Sequence, residues 1–360
     1  ISSQGDVKQS QILINAVATL LFWALLLTVL LGVIGAPLLI LAIATGFEGG
    51  PAYEASVVMT RIMFPYIGLI SMVSLSAGIL NTFGRFAIPA FTPVLLNLAL
   101  IGSAIFLAPH LDQPIYALSI GVLLGGFLQL AIQVPALSRL GLLPRVGLLP
   151  GAIKSAIKNP DARRVMKLMG PAVFAVSVAQ ISLIINTNIA SRLQTGSVSW
   201  LSYADRLMEF PTALLGVALG TVLLPSLSKA NAAQDTAQAG ELLIWGLRLT
   251  FLLAAPCAIA LFIFGTPISA VLYHYGQFNA LDVEMTRQAL AAYGVGLIGL
   301  IMVKILAPGF YSRQDIRTPV KIALLVLLFT QLANIGLVPL FAHAGLALSV
   351  GLGACLNAAL

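Results

Sequence analysis

The sequence predicts an all-α polytopic membrane protein whose two lobes are internal repeats. Three observations carry that reading: a composition too apolar for water, apolar runs long enough to cross a bilayer, and short motifs that recur in order at nearly constant spacing. Of 360 residues, 59% are hydrophobic and 9% charged, and the mean hydropathy is +1.01. A soluble chain carries about a quarter of its residues as charges to cover its surface, so much of this surface faces lipid. Strand-like alternation is absent, which leaves helices to satisfy the backbone in hydrocarbon. The net charge of +7 would suggest nucleic acid in a soluble protein, but the basic residues gather in particular loops and no nucleic-acid partner is expected.

Ten apolar segments follow in order, several reaching the ~20 residues a span requires. The first, 11–44, comes after Lys8; the second, 56–80, stops before Arg85 and the third, 89–109, starts after it. The fourth, 115–136, ends at Arg139, and the fifth, 165–191, lies between Arg164 and Arg192. The sixth, 198–227, precedes Lys229, and the seventh is 240–272. The eighth, 285–308, precedes Arg313, the ninth is 319–341, and the tenth, 345–360, is cut short at Leu360.

Loop charge orients these segments. Lys8, Arg85, Arg139, Arg145, Lys154, Lys158, Arg163, Arg164, Lys167, Lys229, Arg313, Arg317 and Lys321 fall on one side, thirteen basic residues against Arg192 alone on the other. By the positive-inside rule the first side is cytoplasmic, and the amino terminus with it. The chain opens at Ile1 in a polar stretch and stops inside an apolar helix, so it reads as an internal fragment.

Thr60-Arg61 and Thr92-Pro93-Val94 recur as Thr286-Arg287 and Thr318-Pro319-Val320, both at an offset of 226, and ALSIG at 117–121 recurs as ALSVG at 347–351, at an offset of 230. The duplication maps the first four segments onto the last four, a shift of six helices. Six is even, so the halves share one orientation, the parallel-repeat arrangement found among transporters. The fifth and sixth segments have no counterparts, so two helices are expected upstream of Ile1. The expected organisation is an N-terminal lobe over 1–138, a basic cytoplasmic linker over 139–164 and a C-terminal lobe over 165–360. Within the linker, residues 152–158 (AIKSAIK) have an amphipathic pattern that suits either the anionic inner leaflet or a solvated connection.

Charges inside spans cost roughly 2.5–3.5 kcal/mol each on insertion scales, so they are the first places to look for function. The densest group is Asp205, Arg206 and Glu209 in SYADRLMEFP, where Arg206 and Glu209, three apart, can pair on one helix face. Arg206 suits fork recognition of phosphate or carboxylate; the alternative is a self-neutralised pair near the outer interface. Lys304 reads as a snorkelling side chain, and Arg61 and Arg287 as interface anchors. Asn186, Asn188, Gln331 and Asn334 are uncharged polar residues within spans, suited to interhelical hydrogen bonds or to a cation site. Gly121/Gly125 and Gly216/Gly220 allow close helix approach, and Pro65, Pro171, Pro211, Pro225 and Pro256 mark kinks.

The sequence has no GxxxxGK[ST] phosphate loop and no HExxH. Cys257 and Cys355 lie in apolar segments, which argues against a disulfide or metal site. His110, His274 and His343 are expected in external loops. No metal, cofactor or enzymatic centre is therefore expected.

The stretches FPYIGLISMVSLSAGILNTFGRFAIPAFTPVLLN at 64–97, QISLIINT at 180–187, GSVSWLSYADRLMEFP at 196–211, GVALGTVLLPSLS at 216–228 and APGFYSRQDIRTPVK at 307–321 resemble the MurJ (MviN) family of lipid II flippases. The resemblance runs through nearly the whole chain. It implies the fold of the multidrug/oligosaccharidyl-lipid/polysaccharide exporter superfamily (MATE-like), with two helical lobes around a central cavity and these ten segments as the third to twelfth of fourteen. It also implies movement of undecaprenyl-diphosphate-linked muropeptide, lipid II, to the outer leaflet of the bacterial inner membrane by alternating access. Arg206 then meets the diphosphate, with Asp205 and Glu209 orienting it. Membrane potential or an ion gradient is the expected energy source, and membrane lipids and cell-wall synthesis or division proteins the expected neighbours. A drug or polysaccharide-lipid exporter and a non-transporting cell-wall scaffold are the alternatives.

Overall fold

The structure is a computed structural model and describes residues 4–312, 315 and 317–360; Ile1 and Arg313 lie outside the described residues. Those residues form helices and no strand. The α-helices are α1 (Gln4–Ile34), α2 (Ala36–Ile43), α3 (Pro51–Met63), α4 (Pro65–Thr82), α5 (Ala87–Gly102), α6 (Tyr116–Arg139) and α7 (Pro150–Lys158). They continue with α8 (Pro160–Ser191), α9 (Ser197–Pro211), α10 (Ala218–Ala232), α11 (Thr236–Ile263), α12 (Gly265–Tyr273), α13 (Ala280–Tyr311) and α14 (Arg317–Ala359). Eight of the helical stretches described are long and apolar enough to cross a membrane. The longest, α14, is two limbs meeting at Ala342, where φ is 48° and ψ −127°. These limbs, α8 and the seven remaining stretches correspond to the ten segments read from sequence.

Several apolar segments are broken, at Pro65 and Pro211 where the sequence marks kinks, and at Gly35 and Phe264 where it reads as continuous. The first is interrupted at Gly35, between α1 and α2. In the second, Pro65 starts α4 because it lacks the N–H that would continue α3. The seventh changes direction at Phe264 (φ −98°, ψ 13°), between α11 and α12. Two wide π-helical turns, Ser103–Leu107 and Thr212–Val217, follow α5 and α9. The second comes directly after Pro211, which leaves a backbone carbonyl one turn back without its usual donor.

The chain divides into two compact units, Ile1–Ala42 with Phe47–Val173, and Ile43–Gly46 with Phe174–Leu360. In the first, α4 packs on α1 and α6, and α6 on α5. A Cβ at Gly121 would lie 2.9 Å from Ser103 Oγ, and one at Gly125 2.7 Å from Leu96 Cδ1, so these glycines set the α5–α6 approach. Residues 150–158, inside the expected linker, form α7; its Ala156 is buried with Ala16 of α1 and Ala162 of α8.

The second unit repeats that wiring: α13 packs on α11 and on α14. The limbs of α14 run antiparallel, with Thr330 beside Gly353 and Asn334 beside Ser349, as α5 and α6 do in the first unit. A Cβ at Gly296 would collide with the backbone of Gly351, and one at Gly299 would lie 2.6 Å from the Cys355 nitrogen. Backbone contact this close is open only to glycine. Gly216 and Gly220 serve the same end, since their added Cβ atoms would lie 2.6 Å from Lys304 Cδ and 3.1 Å from the Lys304 carbonyl. The stem of Lys304 thus lies across Gly216. Buried Ala204, Met208, Ala254, Leu290, Leu297 and Ile301 form the core of this unit.

A candidate polar site on helix α9

Helix α9 carries the densest charge cluster, and its start is fixed by a three-segment lock. Gly196 (φ 104°) turns the chain into the helix, and a Cβ there would lie 2.5 Å from the Trp200 ring. Trp200 is 3% exposed and donates from Nε1 to Asp282 Oδ1 at 2.8 Å. Asp282 also closes the capping box that starts α13, accepting from the Asn279 backbone at 2.8 Å while the Asn279 side chain receives the Leu281 and Asp282 amides. The His343 ring packs 5.2 Å from Trp200, with its Nε2 2.9 Å from the Met285 carbonyl. This corrects the sequence reading of His343 as an isolated loop histidine. It is 3% exposed and ties the kink of α14 to α13. The lock escaped sequence reading because its partners lie 82 and 143 positions from Trp200.

Beyond the lock the charged residues diverge. Arg206 and Glu209 pair at 3.1 Å, with side chains 75% and 60% exposed. The pair uses one guanidinium nitrogen and leaves the remaining N–H donors of the fork for a ligand. Asp205 lies about 100° around the helix from Arg206. It lines a cavity of about 300 Å³ with Ser182, Asn186, Thr187, Ser202 and Tyr293. Glu209 therefore holds Arg206, and Asp205 faces a different space. Arg206 lines an apolar pocket on another face of α9.

The four uncharged polar residues also separate. Asn186 of α8 accepts from Asn334 at 3.0 Å and from Gln331 at 3.4 Å; Asn334 donates to Gln331 at 3.2 Å and accepts from the Ser349 hydroxyl. This network joins α8 to both limbs of α14. Ser349 was not singled out in the sequence, although it lies inside the repeated ALSVG motif. Asn188, two residues from Asn186, turns to the other side, where its carboxamide accepts from Thr45 Oγ at 3.2 Å. Arg192 Nε donates to the same Thr45 hydroxyl at 2.8 Å, and the Gly46 amide donates to Ser191 Oγ at 3.0 Å. Among the described residues no three of His, Cys, Asp and Glu gather as a metal site. Arg287, its stem against Gly265, forms a two-pronged pair with Glu284 at 2.5 and 2.8 Å.

Comparison with known proteins places these features in a family. A family model described as lipid II flippase MurJ matches residues 2–360. The chain is 56% identical over 359 residues to the lipid II flippase MurJ of Burkholderia cenocepacia, covering 99% of this chain and 69% of that protein. It is 38% identical over 366 residues to the probable lipid II flippase MurJ of Vibrio cholerae, covering 99% and 68%. Among solved structures, a lipid II flippase MurJ in an inward closed conformation aligns over 100% of this chain and 72% of its own, with a TM-score of 0.79 at 23% identity. An inward-facing MATE-family multidrug transporter aligns over 98% and 84%, with a TM-score of 0.68 at 13% identity. At those identities the two structures bear on the fold, which they share with this chain. The matched family model and the relative from Burkholderia cenocepacia together settle the classification: the chain belongs to the MurJ family of lipid II flippases.

Proposed function

We propose that this protein moves lipid II, a peptidoglycan precursor linked to a polyprenyl diphosphate, from the inner to the outer leaflet of the bacterial cytoplasmic membrane. The observation that carries the reading at the level of residues is Arg206. A guanidinium within an apolar span is costly, and here it is retained, exposed and braced by Glu209. Its free fork matches the oxygens of a diphosphate, which it grips more strongly away from water than in it. The relatives carry the name of that activity over nearly the whole of this chain.

The lobes rock about the 139–164 segment, exposing the site to each leaflet in turn, while the polyprenyl tail stays in lipid. Membrane potential or an ion gradient drives the cycle. The amino terminus faces the cytoplasm, where the basic loops lie.

The test is complementation of a flippase-depleted strain by the full-length protein carrying Arg206→Ala or Arg206→Lys at normal expression. Alanine abolishes growth. Lysine restores at most part of it, because it keeps the charge and loses the two-pronged geometry. Normal growth with both substitutions overturns the assignment.

A further inference from the structure

The start of the 139–164 segment is fastened to α1. Gln11, Asn15, Thr19 and Trp23 stand four residues apart on one face of that helix, and each holds the backbone of the passing chain. Gln11 Nε2 donates to the Leu143 carbonyl at 2.9 Å, and the Arg145 amide donates to Asn15 Oδ1 at 2.8 Å. The Gly147 amide donates to Thr19 Oγ1 at 2.9 Å, and Trp23 Nε1 donates to the Gly147 carbonyl at 3.0 Å. The registers match because four helical residues rise about 6 Å and two extended residues about 6.6 Å. Beyond Gly147 the chain doubles back so closely that a Cβ there would lie 2.3 Å from Ala152 Cβ. Helix α7 then returns along α1 until Ala156 packs with Ala16.

This hairpin dips into the membrane. Arg139 ends α6, and Leu137 just before it packs with Ile14, so the level of Ile14 on α1 marks the edge of the span. Thr19 and Trp23 lie about 8 and 14 Å deeper by the rise of the helix. At the tip beside them, Leu148 and Leu149 are 66% and 75% exposed. Successive steps of about 100° round α7 pass from Ala156 on α1 to exposed Ile157 and then to Lys158, with Lys154 between the last two. Arg145, Lys154, Lys158, Arg163 and Arg164 are exposed, with Asp161 the one acid from 140 to 166, and among the described residues none of the five is ion-paired. Protein, then apolar surface, then positive charge is the order round a helix lying in a bilayer surface. Water alone would leave the tip uncovered, and a neutral headgroup would leave the cations unmatched; an anionic phospholipid answers both. The positive-inside bias asks only for charge, and accounts neither for the tip nor for the four hydrogen bonds that set its depth.

We propose that residues 143–158 form a re-entrant wedge that binds anionic phospholipid of the adjoining leaflet. Leu148 and Leu149 lie among the acyl chains, and Lys154 and Lys158 meet the phosphates. The inference concerns the first unit alone and does not rest on the reading of Arg206.

Fluorescence quenching of the full-length protein in phosphatidylcholine nanodiscs tests this. Bimane is attached at Leu149→Cys, with Cys257→Ser and Cys355→Ser clearing the background. The bilayer carries a fixed minor fraction of dibrominated phosphatidylglycerol or of dibrominated phosphatidylcholine. Bromolipid quenches the bimane and aqueous iodide does not, and the fitted preference for phosphatidylglycerol exceeds about tenfold. Lys158→Gln lowers that preference by about fivefold, the share of one basic residue at an anionic surface, while Lys158→Arg keeps it. Salt at about 0.5 M weakens it by screening. Bimane at Phe86→Cys, next to the lone Arg85 on the same side, shows no such preference. Leu148→Cys gives a second reading of the tip should Leu149→Cys fold poorly. Iodide quenching without bromolipid quenching puts the tip in water and overturns the proposal. Equal quenching by the two lipids, or the same preference at Phe86, overturns the anionic site.

Discussion

The lock at the start of α9 makes a quantitative prediction, because it joins one neutral donor to one carboxylate at a nearly buried position. Trp200→Phe keeps an aromatic ring near His343 but deletes the N–H that reaches Asp282 at 2.8 Å together with the rest of the indole bicycle, which packs on Gly196. A hydrogen bond to a charged group contributes about 1.5–3 kcal/mol. Asp282→Ala removes the same bond together with the capping box of α13, so its own cost is larger. The coupling between the two positions isolates the bond: a double-mutant cycle read by SDS titration in mixed micelles should give a coupling energy of about 1.5–3 kcal/mol. A coupling under about 0.5 kcal/mol, the usual error of additivity, would refute the claim that this bond positions α9.

Other outcomes follow from the same geometry. Gly296→Leu should prevent folding, since its side chain must enter the space of the Gly351 backbone, whereas Gly102→Ala, with nothing within 4 Å, should leave thermal stability and expression unchanged. Ser349→Ala should cost about 0.6–1.7 kcal/mol in the same titration, the range for interhelical hydrogen bonds in membranes. Its repeat-mate Ser119 is buried with no hydrogen-bond partner among the described residues, so Ser119→Ala should be neutral or stabilising. At the start of α14, the Thr318 hydroxyl (2.6 Å) and amide (3.1 Å) donate to Asp315 and hold its carboxyl below the usual range. A depressed carboxyl stabilises above its unfolded pKa and loses that contribution as the pH falls through its folded value. Protection of the Arg317 and Thr318 amides from exchange should therefore fall on acidification below the ordinary carboxylate range, and Thr318→Val should move that loss to higher pH.

How much of this was legible depended on the range of the interaction. The ten apolar segments follow from composition alone, because no other structure satisfies a backbone in lipid. The Arg206–Glu209 pair follows from a spacing of three. The separation of Asp205 from that pair, and of Asn186 from Asn188, follows from helix geometry too, since neighbours one or two apart do not share a face. Treating them as sets obscured it. The break at Phe264 does carry a local signal that the sequence reading passed over, since Gly265 and Pro267 follow it directly and open α12. Tyr293 and Ser349 drew no notice because a tyrosine or serine in a span is common. Tyr293 comes to Asp205 from 88 residues away, and Ser349 to Asn334 from 15 residues away across the kink of α14.

The duplication itself separates scaffold from chemistry. Both units build the same antiparallel pair, α5 with α6 and the two limbs of α14, and both close it with glycines. The polar groups that join the pair differ between the units: in the first, Gln129 Nε2 of α6 donates to the Thr92 carbonyl of α5 at 3.1 Å and Ser119 is buried with no hydrogen-bond partner among the described residues, while its mate Ser349 is drawn into a network with Asn334, Gln331 and Asn186. Gly121 and its repeat-mate Gly351 are both close-packed, the first against Ser103 and the second against Gly296, whereas the place of Gly125 is taken by Cys355 in the second unit. Among the described residues the amide network is a feature of the second unit, laid on a helix pair that the first unit joins through Gln129 instead.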